Sequence, residues 1–209
     1  MQLLYFHDAL CGWCYGFSPV MNEFAADHPG IDVRVVAGGM ITGERIGPIG
    51  EVAGYIKSAY KVVEDRCNVK FGQGFLRGVL EPGTTVFTSI PAAVALAAVR
   101  QLKPAAQLSF SSAVQRAVYY DGIDPSDEAA YAMLAAERGI DTAAFVRTFR
   151  AAETRAAAAE DFVLSRRYGV TGFPTVVLQN DKGAVAIARG YVDGETLERN
   201  FVAGQRQLT

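Results

Sequence analysis

Residues 3–37 read LLYFHDALCGWCYGFSPVMNEFAADHPGIDVRVVA, and the fold turns on this stretch. Leu3 to His7 is an apolar run of strand length. After Cys11, the apolar residues Phe17, Val20, Met21 and Phe24 recur at helical spacing and predict a helix to about Ala26. Pro19 falls inside it, where a kink is expected. His28-Pro29-Gly30 reads as a turn. Ile31 to Ala37 is rich in β-branched residues and reads as a second strand. A strand–helix–strand unit with right-handed crossover makes the two strands parallel. Cys11 and Cys14 lie where the first strand feeds the helix.

Outward from this unit the texture changes. The chain has 209 residues, half of them hydrophobic and 20% charged, with a formal charge of −2. That balance supports a buried core and argues against disorder, nucleic-acid binding or an anionic membrane surface. The longest apolar run, Ala92 to Val99, falls far short of the ~20 residues that cross a bilayer. Glycines from Gly38 to Gly50 mark an irregular exit from the second strand. Helices are then predicted over Ile49–Arg66, Ile90–Leu102, Ala105–Tyr120, Ser126–Arg138 and Thr142–Arg150, with Ser89 and Ser126 as N-caps. A helix from Glu153 to Tyr168 returns the chain to its first texture. Thr175–Gln179 and Ala184–Arg189 read as strands joined by the Asn180-Asp181-Lys182-Gly183 turn. Asp193 caps a last helix to about Gln205. The order β-α-β, helical block, α-β-β-α is an α/β thioredoxin fold. Residues 1–40 and 152–209 are expected to form the thioredoxin-like domain, and 41–151 an inserted helical subdomain.

The cysteines admit three readings. A structural zinc site commonly uses two paired hooks; beyond one pair this chain offers only Cys67, His7 and His28. Two buried apolar residues is the bland reading, but the pair's position argues against it. Unsatisfied N–H groups and the positive dipole end favour an anion at a helix N-terminus. Cys11 would sit there as a thiolate, with Cys14 one turn deeper. A C-x-x-C next to a βαβ unit reads as a redox pair. Pro174, just before a strand, cannot donate to a ladder and belongs at a strand start. It reads as an ordinary turn proline or as a cis X-Pro, and the fold favours the second. Asp8 is a candidate for proton transfer and equally a cap for its own turn. Trp13, between the cysteines, is expected to be exposed and to touch substrate. Cys67 reads as a semi-buried lone thiol, or else as a regulatory or relay partner.

Cys11-Gly12-Trp13-Cys14, the following Tyr15-Gly16-Phe17, and Gly172-Phe173-Pro174-Thr175 together resemble the DsbA family of thiol-disulfide oxidoreductases. The match extends over essentially the whole chain. It is nearest the FrnE-like, protein-disulfide-isomerase branch, whose texture Phe71-Gly72 and Gln115-Arg116-Ala117 share. The resemblance implies catalytic Cys11 as nucleophile and Cys14 as resolving thiol. It implies a cis Pro174 facing the pair, and Phe173 offering backbone hydrogen bonds to an extended substrate. It implies protein or peptide dithiols and disulfides as partners, together with a redox partner. No metal or bound cofactor beyond the redox-active disulfide follows, with glutathione as an optional co-substrate. Asp8-Ala9 stands where relatives commonly carry Asp-Pro. With Met1 as the natural start there is no room for a signal peptide, so a cytoplasmic protein is expected. Two other functions fit the same fold. One is a glutathione-dependent isomerase or transferase of the kappa-class or hydroxychromene carboxylate isomerase type, which typically has serine where Cys11 stands. The other is a non-catalytic peptide-binding protein.

The periplasmic members carry a CPHC motif whose histidine adds a donor to the thiolate, and Trp13 replaces it here. Cys11 should therefore be less acidic than theirs. The pH dependence of Cys11 alkylation is expected to show a midpoint above about 4, the low end for such cysteines; a midpoint below that value contradicts the reading.

Overall fold

Strand β1 (Gln2–His7), helix α1 (Gly12–Asp27) and strand β2 (Asp32–Ala37) form the predicted unit, with β2 parallel to β1 from Gln2–Asp32 to His7–Ala37. The computed structural model describes residues 1–209. Helix α1 runs through Pro19 without a break. Next come a two-residue strand β3 (Gly47–Pro48) and helix α2 (Ala53–Cys67). Short helix α3 (Gln73–Phe75) continues as a π-helical turn to Leu80, before strand β4 (Val86–Phe87) pairs with β3. Four helices follow, α4 (Ile90–Leu102), α5 (Gln107–Arg116), α6 (Glu128–Ala136) and α7 (Thr142–Arg150). Helix α8 (Ala152–Arg167), strands β5 (Thr175–Gln179) and β6 (Ala184–Arg189), and helix α9 (Gly194–Gln207) complete the chain. The sheet order is β2-β1-β5-β6, with β5 antiparallel to both neighbours. This is a thioredoxin fold of the DsbA type, with a helical insertion between β2 and α8.

Alternation along the strands gives the sheet two faces. Leu3, Tyr5, Val35, Val176 and Leu178 pack on one face with Phe17, Met21 and Phe24 of α1 and Phe201 of α9. The alanine-rich face of α4 joins that core, Ala95, Ala97 and Ala98 being fully buried. Leu4, Phe6, Val36 and Val177 point the other way, toward Leu164 and Tyr168 at the end of α8. A second cluster lies in the insertion around Phe71, Phe75, Val79 and Tyr119 and reaches Leu10 and, in α1, Tyr15.

Two expectations need correction. Helix α6 is capped by Asp127, whose carboxylate accepts the Ala129 and Ala130 N–H groups, not by Ser126. A one-atom-longer reach and a full charge make the aspartate the better acceptor here. Ser89 does occupy the N-cap position of α4, yet its hydroxyl does not cap it and is used elsewhere. Helical structure over Gln73–Leu80 and the small β3–β4 pair were not expected. The first is glycine-rich in sequence and the second too short for any periodicity to show.

Strand β2 is an edge, and an edge offers unpaired N–H and C=O groups. Side chains from the helices satisfy them. Gln107 Oε1 accepts the Val35 N–H at 2.9 Å, and its Nε2 donates to the Val33 carbonyl at 2.9 Å. Arg100 Nη1 donates to the Val35 carbonyl at 3.0 Å. Asp161 of α8, fully buried, accepts the Ala37 N–H at 3.2 Å, both guanidinium nitrogens of Arg100 at 2.8 and 3.1 Å, and Arg34 at 3.2 Å. Replacing Asp161 with alanine strands the Arg100 guanidinium and an edge N–H. Asp161→Ala is expected to cost about 3–5 kcal/mol, read by urea unfolding; a loss below about 1 kcal/mol would mean that water replaces the carboxylate.

Candidate active site

Cys11 stands at the N-cap of α1 in extended conformation, and no side chain caps the helix. Its carbonyl accepts the Cys14 N–H at 3.0 Å and the Tyr15 N–H at 3.1 Å, while its own N–H donates to the Asp8 carbonyl at 3.2 Å. Cys14, one turn on, is completely buried, whereas Cys11 keeps 7% of its surface. The pair is in the dithiol form, and the Cys11 thiol donates to the Phe173 carbonyl at 3.5 Å. The Phe173–Pro174 bond is cis. The Phe173 ring needs the space at Gly38, where a Cβ would come within 2.3 Å of it. Trp13 is half-buried against the cluster holding Leu10 and Tyr15, rather than freely exposed as its position between the cysteines suggests. Its indole is an apolar plane that packs where it can.

The two thiols are driven apart in acidity. Cys11 is held below the usual thiol value, chiefly because the Cys14 thiol donates to it, with help from the Cys14 and Trp13 N–H groups. Burial and the Asp8 charge oppose the drop. Cys14 is pushed well up, first by burial and then by serving as that donor to Cys11. A proton is thus shared unevenly, with the more exposed sulfur the more readily ionised.

Beneath the pair lies a buried polar layer. Asp8, 2% exposed, accepts Leu10 N–H at 3.0 Å, Ser89 Oγ–H at 2.9 Å and Met40 N–H at 2.8 Å. Burial nevertheless raises its pKa, against those hydrogen bonds. Asp8 caps its own turn through Leu10, the second of its two sequence readings, and its charge bears on both thiols. His7 is buried and its pKa is lowered to about 4 by desolvation. It stacks on Tyr5 at 5.3 Å. Tyr5 and Tyr119 both have raised pKa values, from burial first and then from the nearby cysteines. Ser89, Gln115, Tyr5 and Tyr119 did not stand out as site residues in the sequence. Three of them come from other elements, up to 112 positions from His7, and no local pattern marks them as such.

Cys67 ends α2 and is buried, with its sulfur where a Cβ on Gly16 would sit 2.6 Å away. Burial pushes its thiol up to about 11, so it is an inert packing group against α1. No group of three or more His, Cys, Asp or Glu side chains is arranged to hold a metal ion. No helix is long and apolar enough to cross a membrane.

The buried His7 should be read out in solution. Its folded-state pKa, about 4, lies below the ordinary 6.5, so between these values the unfolded chain binds a proton that the native chain refuses. Stability from this group is complete above pH 6.5 and is lost as pH falls toward 4, by about 3 kcal/mol in all. Asp8, with its raised pKa, acts with opposite sign over a range that runs upward from 3.8. His7→Gln is expected to flatten the decline between pH 6.5 and 4.5 in denaturant titrations, and an unchanged slope would show that native His7 takes the proton.

Comparison with known proteins bears on the same residues. The model of the DSBA-like thioredoxin domain family matches residues 2–201. The cytosolic disulfide reductase DsbM from Pseudomonas aeruginosa is 30% identical, with all of both chains covered and a TM-score of 0.83; it has also been solved with GSH. A candidate protein disulfide isomerase from Nitrosomonas europaea is 25% identical over 99% of this chain and 98% of its own, with a TM-score of 0.88. A 2-hydroxychromene-2-carboxylate isomerase covers 99% of this chain and 96% of its own at a TM-score of 0.66, but at 17% identity it shares the fold alone. No curated protein matches by sequence. The chain belongs to the DSBA-like thioredoxin domain family.

Proposed function

We propose that this chain is a disulfide reductase or isomerase that works through Cys11 and Cys14, with glutathione as its electron source. One observation carries the reading: two thiols one helical turn apart at the start of α1, the outer held acidic by the inner. The reductase DsbM, similar along the whole chain and solved with GSH, supports the direction and the reductant. Retention of both cysteines argues against the isomerase or transferase type that carries serine at the first position.

The Cys11 thiolate attacks one sulfur of a substrate disulfide. The substrate S–S bond breaks as the Cys11–substrate bond forms, and the first leaving thiolate takes a proton from water. Cys14 then gives up its proton, attacks the Cys11 sulfur, and displaces the second substrate thiolate. The pair ends oxidised by two electrons and the substrate reduced by two. Two glutathione molecules restore the dithiol and leave as glutathione disulfide. Asp8 is the proposed acceptor of the Cys14 proton: its charge is felt at both thiols, and burial raises its pKa above the ordinary carboxylate value. An extended peptide would lie beside Cys11 against Phe173, whose carbonyl meets the Cys11 thiol, and Pro174, with Trp13 as a further proposed contact.

Redox titration in glutathione buffers, with the thiols trapped by alkylation and weighed by mass spectrometry, tests the proposal. A reversible Cys11–Cys14 disulfide is expected. A midpoint near about −270 mV marks a reductase, and about −120 to −180 mV an oxidase or isomerase. Cys11→Ser should abolish exchange. Cys14→Ser should accumulate a mixed disulfide at Cys11. If no disulfide forms at any poise, the site is not a redox centre and the peptide-binding reading takes its place.

A further inference from the structure

The loop from β1 to Cys11 is fastened from above and below. Its carboxylate anchor, Asp8, uses both oxygens on Leu10, Met40 and Ser89. Its main chain has one further fastening. Gln115, on the inserted helix α5 and 1% exposed, donates from Nε2 to the Asp8 carbonyl at 3.3 Å. That carbonyl is the one that accepts the Cys11 N–H at 3.2 Å. The same Gln115 nitrogen lies 3.5 Å from His7 Nδ1. A carbonyl oxygen can only accept, so the amide must face it with its NH₂ group. The other end of the amide, Oε1, is buried without a partner. A buried acceptor left unpaired costs about 1–3 kcal/mol. A side chain present only to fill space would be better replaced by a leucine or methionine. The donor end must therefore matter more than the acceptor end costs.

We propose that Gln115 is a positioning residue for the Cys11–Cys14 pair, its amide clamping the Asp8 carbonyl that sets the direction in which Cys11 enters α1. The inference rests on the redox function proposed above. The orientation of Cys11 decides whether its sulfur meets the Cys14 thiol and the N–H groups of Cys14 and Trp13, which together favour its ionised form. Asp8 also gains: both of its carbonyl's donors hold it while the carboxylate is used elsewhere. Cys14, Asp8, Tyr5 and Tyr119 share the electrostatic surroundings of Cys11 and His7 abuts the amide; none of them is altered in the test below.

Gln115→Met keeps the length of the side chain and removes the donor. Two readings are taken on the full chain: the pH profile of Cys11 alkylation and the Cys11–Cys14 potential in glutathione buffers. A merely structural role would move neither. Without the clamp, the thiolate fraction of Cys11 at neutral pH should fall three- to tenfold. The reduced pair loses the same stabilisation, so the potential should become more negative, by up to about 30 mV for the tenfold case. Gln115→Glu, isosteric but unable to donate when ionised, should shift both in the same direction. Wild-type values in both variants overturn the proposal. If neither variant folds, isotope-labelled wild-type protein decides: the Gln115 side-chain NH₂ resonances should exchange slowly and move between the dithiol and disulfide forms, and resonances indifferent to oxidation overturn it. Failure of the wild type to form any disulfide would count against the redox function itself, and is thereby separable from failure of the clamp.

Discussion

The arrangement depends on a buried carboxylate that has found three donors. Asp8 ends the turn after β1 and draws the Leu10 N–H of its own loop, the Met40 N–H of the segment leaving β2, and the Ser89 hydroxyl at the start of α4 to one point. A carboxylate out of water is tolerated only when such partners offset the lost hydration. Here the partners belong to three stretches far apart in sequence. The interaction that lets Asp8 be buried is therefore also the one that registers the inserted helices on the sheet. The cost appears at the cysteines, where the Asp8 charge opposes ionisation of both. Cys11 is acidic in spite of its nearest anion, and this is why the Cys14 thiol and the free N–H groups of the helix start are indispensable to it.

The same economy governs the edge of the sheet. In an open sheet β2 would invite pairing with another strand. Gln107 instead presents one acceptor and one donor to Val35 and Val33, as a neighbouring strand would, and Arg100 and Asp161 complete the row. The insertion covers the edge with side chains rather than with a ladder. Apolar contact through the alanine face of α4 brings Arg100 of that helix within reach of the strand, and Gln107 reaches it from the first turn of α5. Packing and polar satisfaction are thus one design, and Gln115 on the same α5 helix continues it toward the loop that bears Cys11.

Much of this was legible in residues whose meaning is local. The β-branched run at Ile31–Ala37, the helical spacing after Cys11, the Asn180–Gly183 turn and the Asp193 cap each report on the few residues beside them, and β2, α1, β5, β6 and α9 fall close to where those signals put them. Cys11, Cys14 and Pro174 were marked by motif and come together, the Cys11 sulfur facing the residue before the proline. What stayed hidden is what depends on long-range company. Ser89 reads as an N-cap, because serine at a helix start usually is one; in the fold its hydroxyl has a stronger acceptor, a charged one, 81 positions away. Trp13 reads as exposed from its place between two cysteines, yet a neighbouring cluster of insertion aromatics offers it an apolar surface. Gln115 carries no signal of a site role beyond the family texture of Gln115-Arg116-Ala117, since a glutamine in an amphipathic helix is ordinarily a solvated one.

The start of α1 shows how stability and reactivity are traded at a single residue. Helices usually begin with Ser, Thr, Asp or Asn, whose side chain accepts an orphan N–H and is worth about 1 kcal/mol. Cys11 holds that position here without making such a bond, and α1 has no acidic residue in its first turn. The orphan donors and the positive end of the helix are left unused by the protonated protein. As a thiol, Cys11 donates to the Phe173 carbonyl. As a thiolate it can no longer donate, and the Trp13 and Cys14 N–H groups and the Cys14 thiol become its partners. The cap is made only when Cys11 is ionised. Stability that an ordinary cap would give the resting helix is withheld and appears instead as the acidity of Cys11. A Cys11→Ser chain would put a good capping residue there and lose the one atom for which the place was kept.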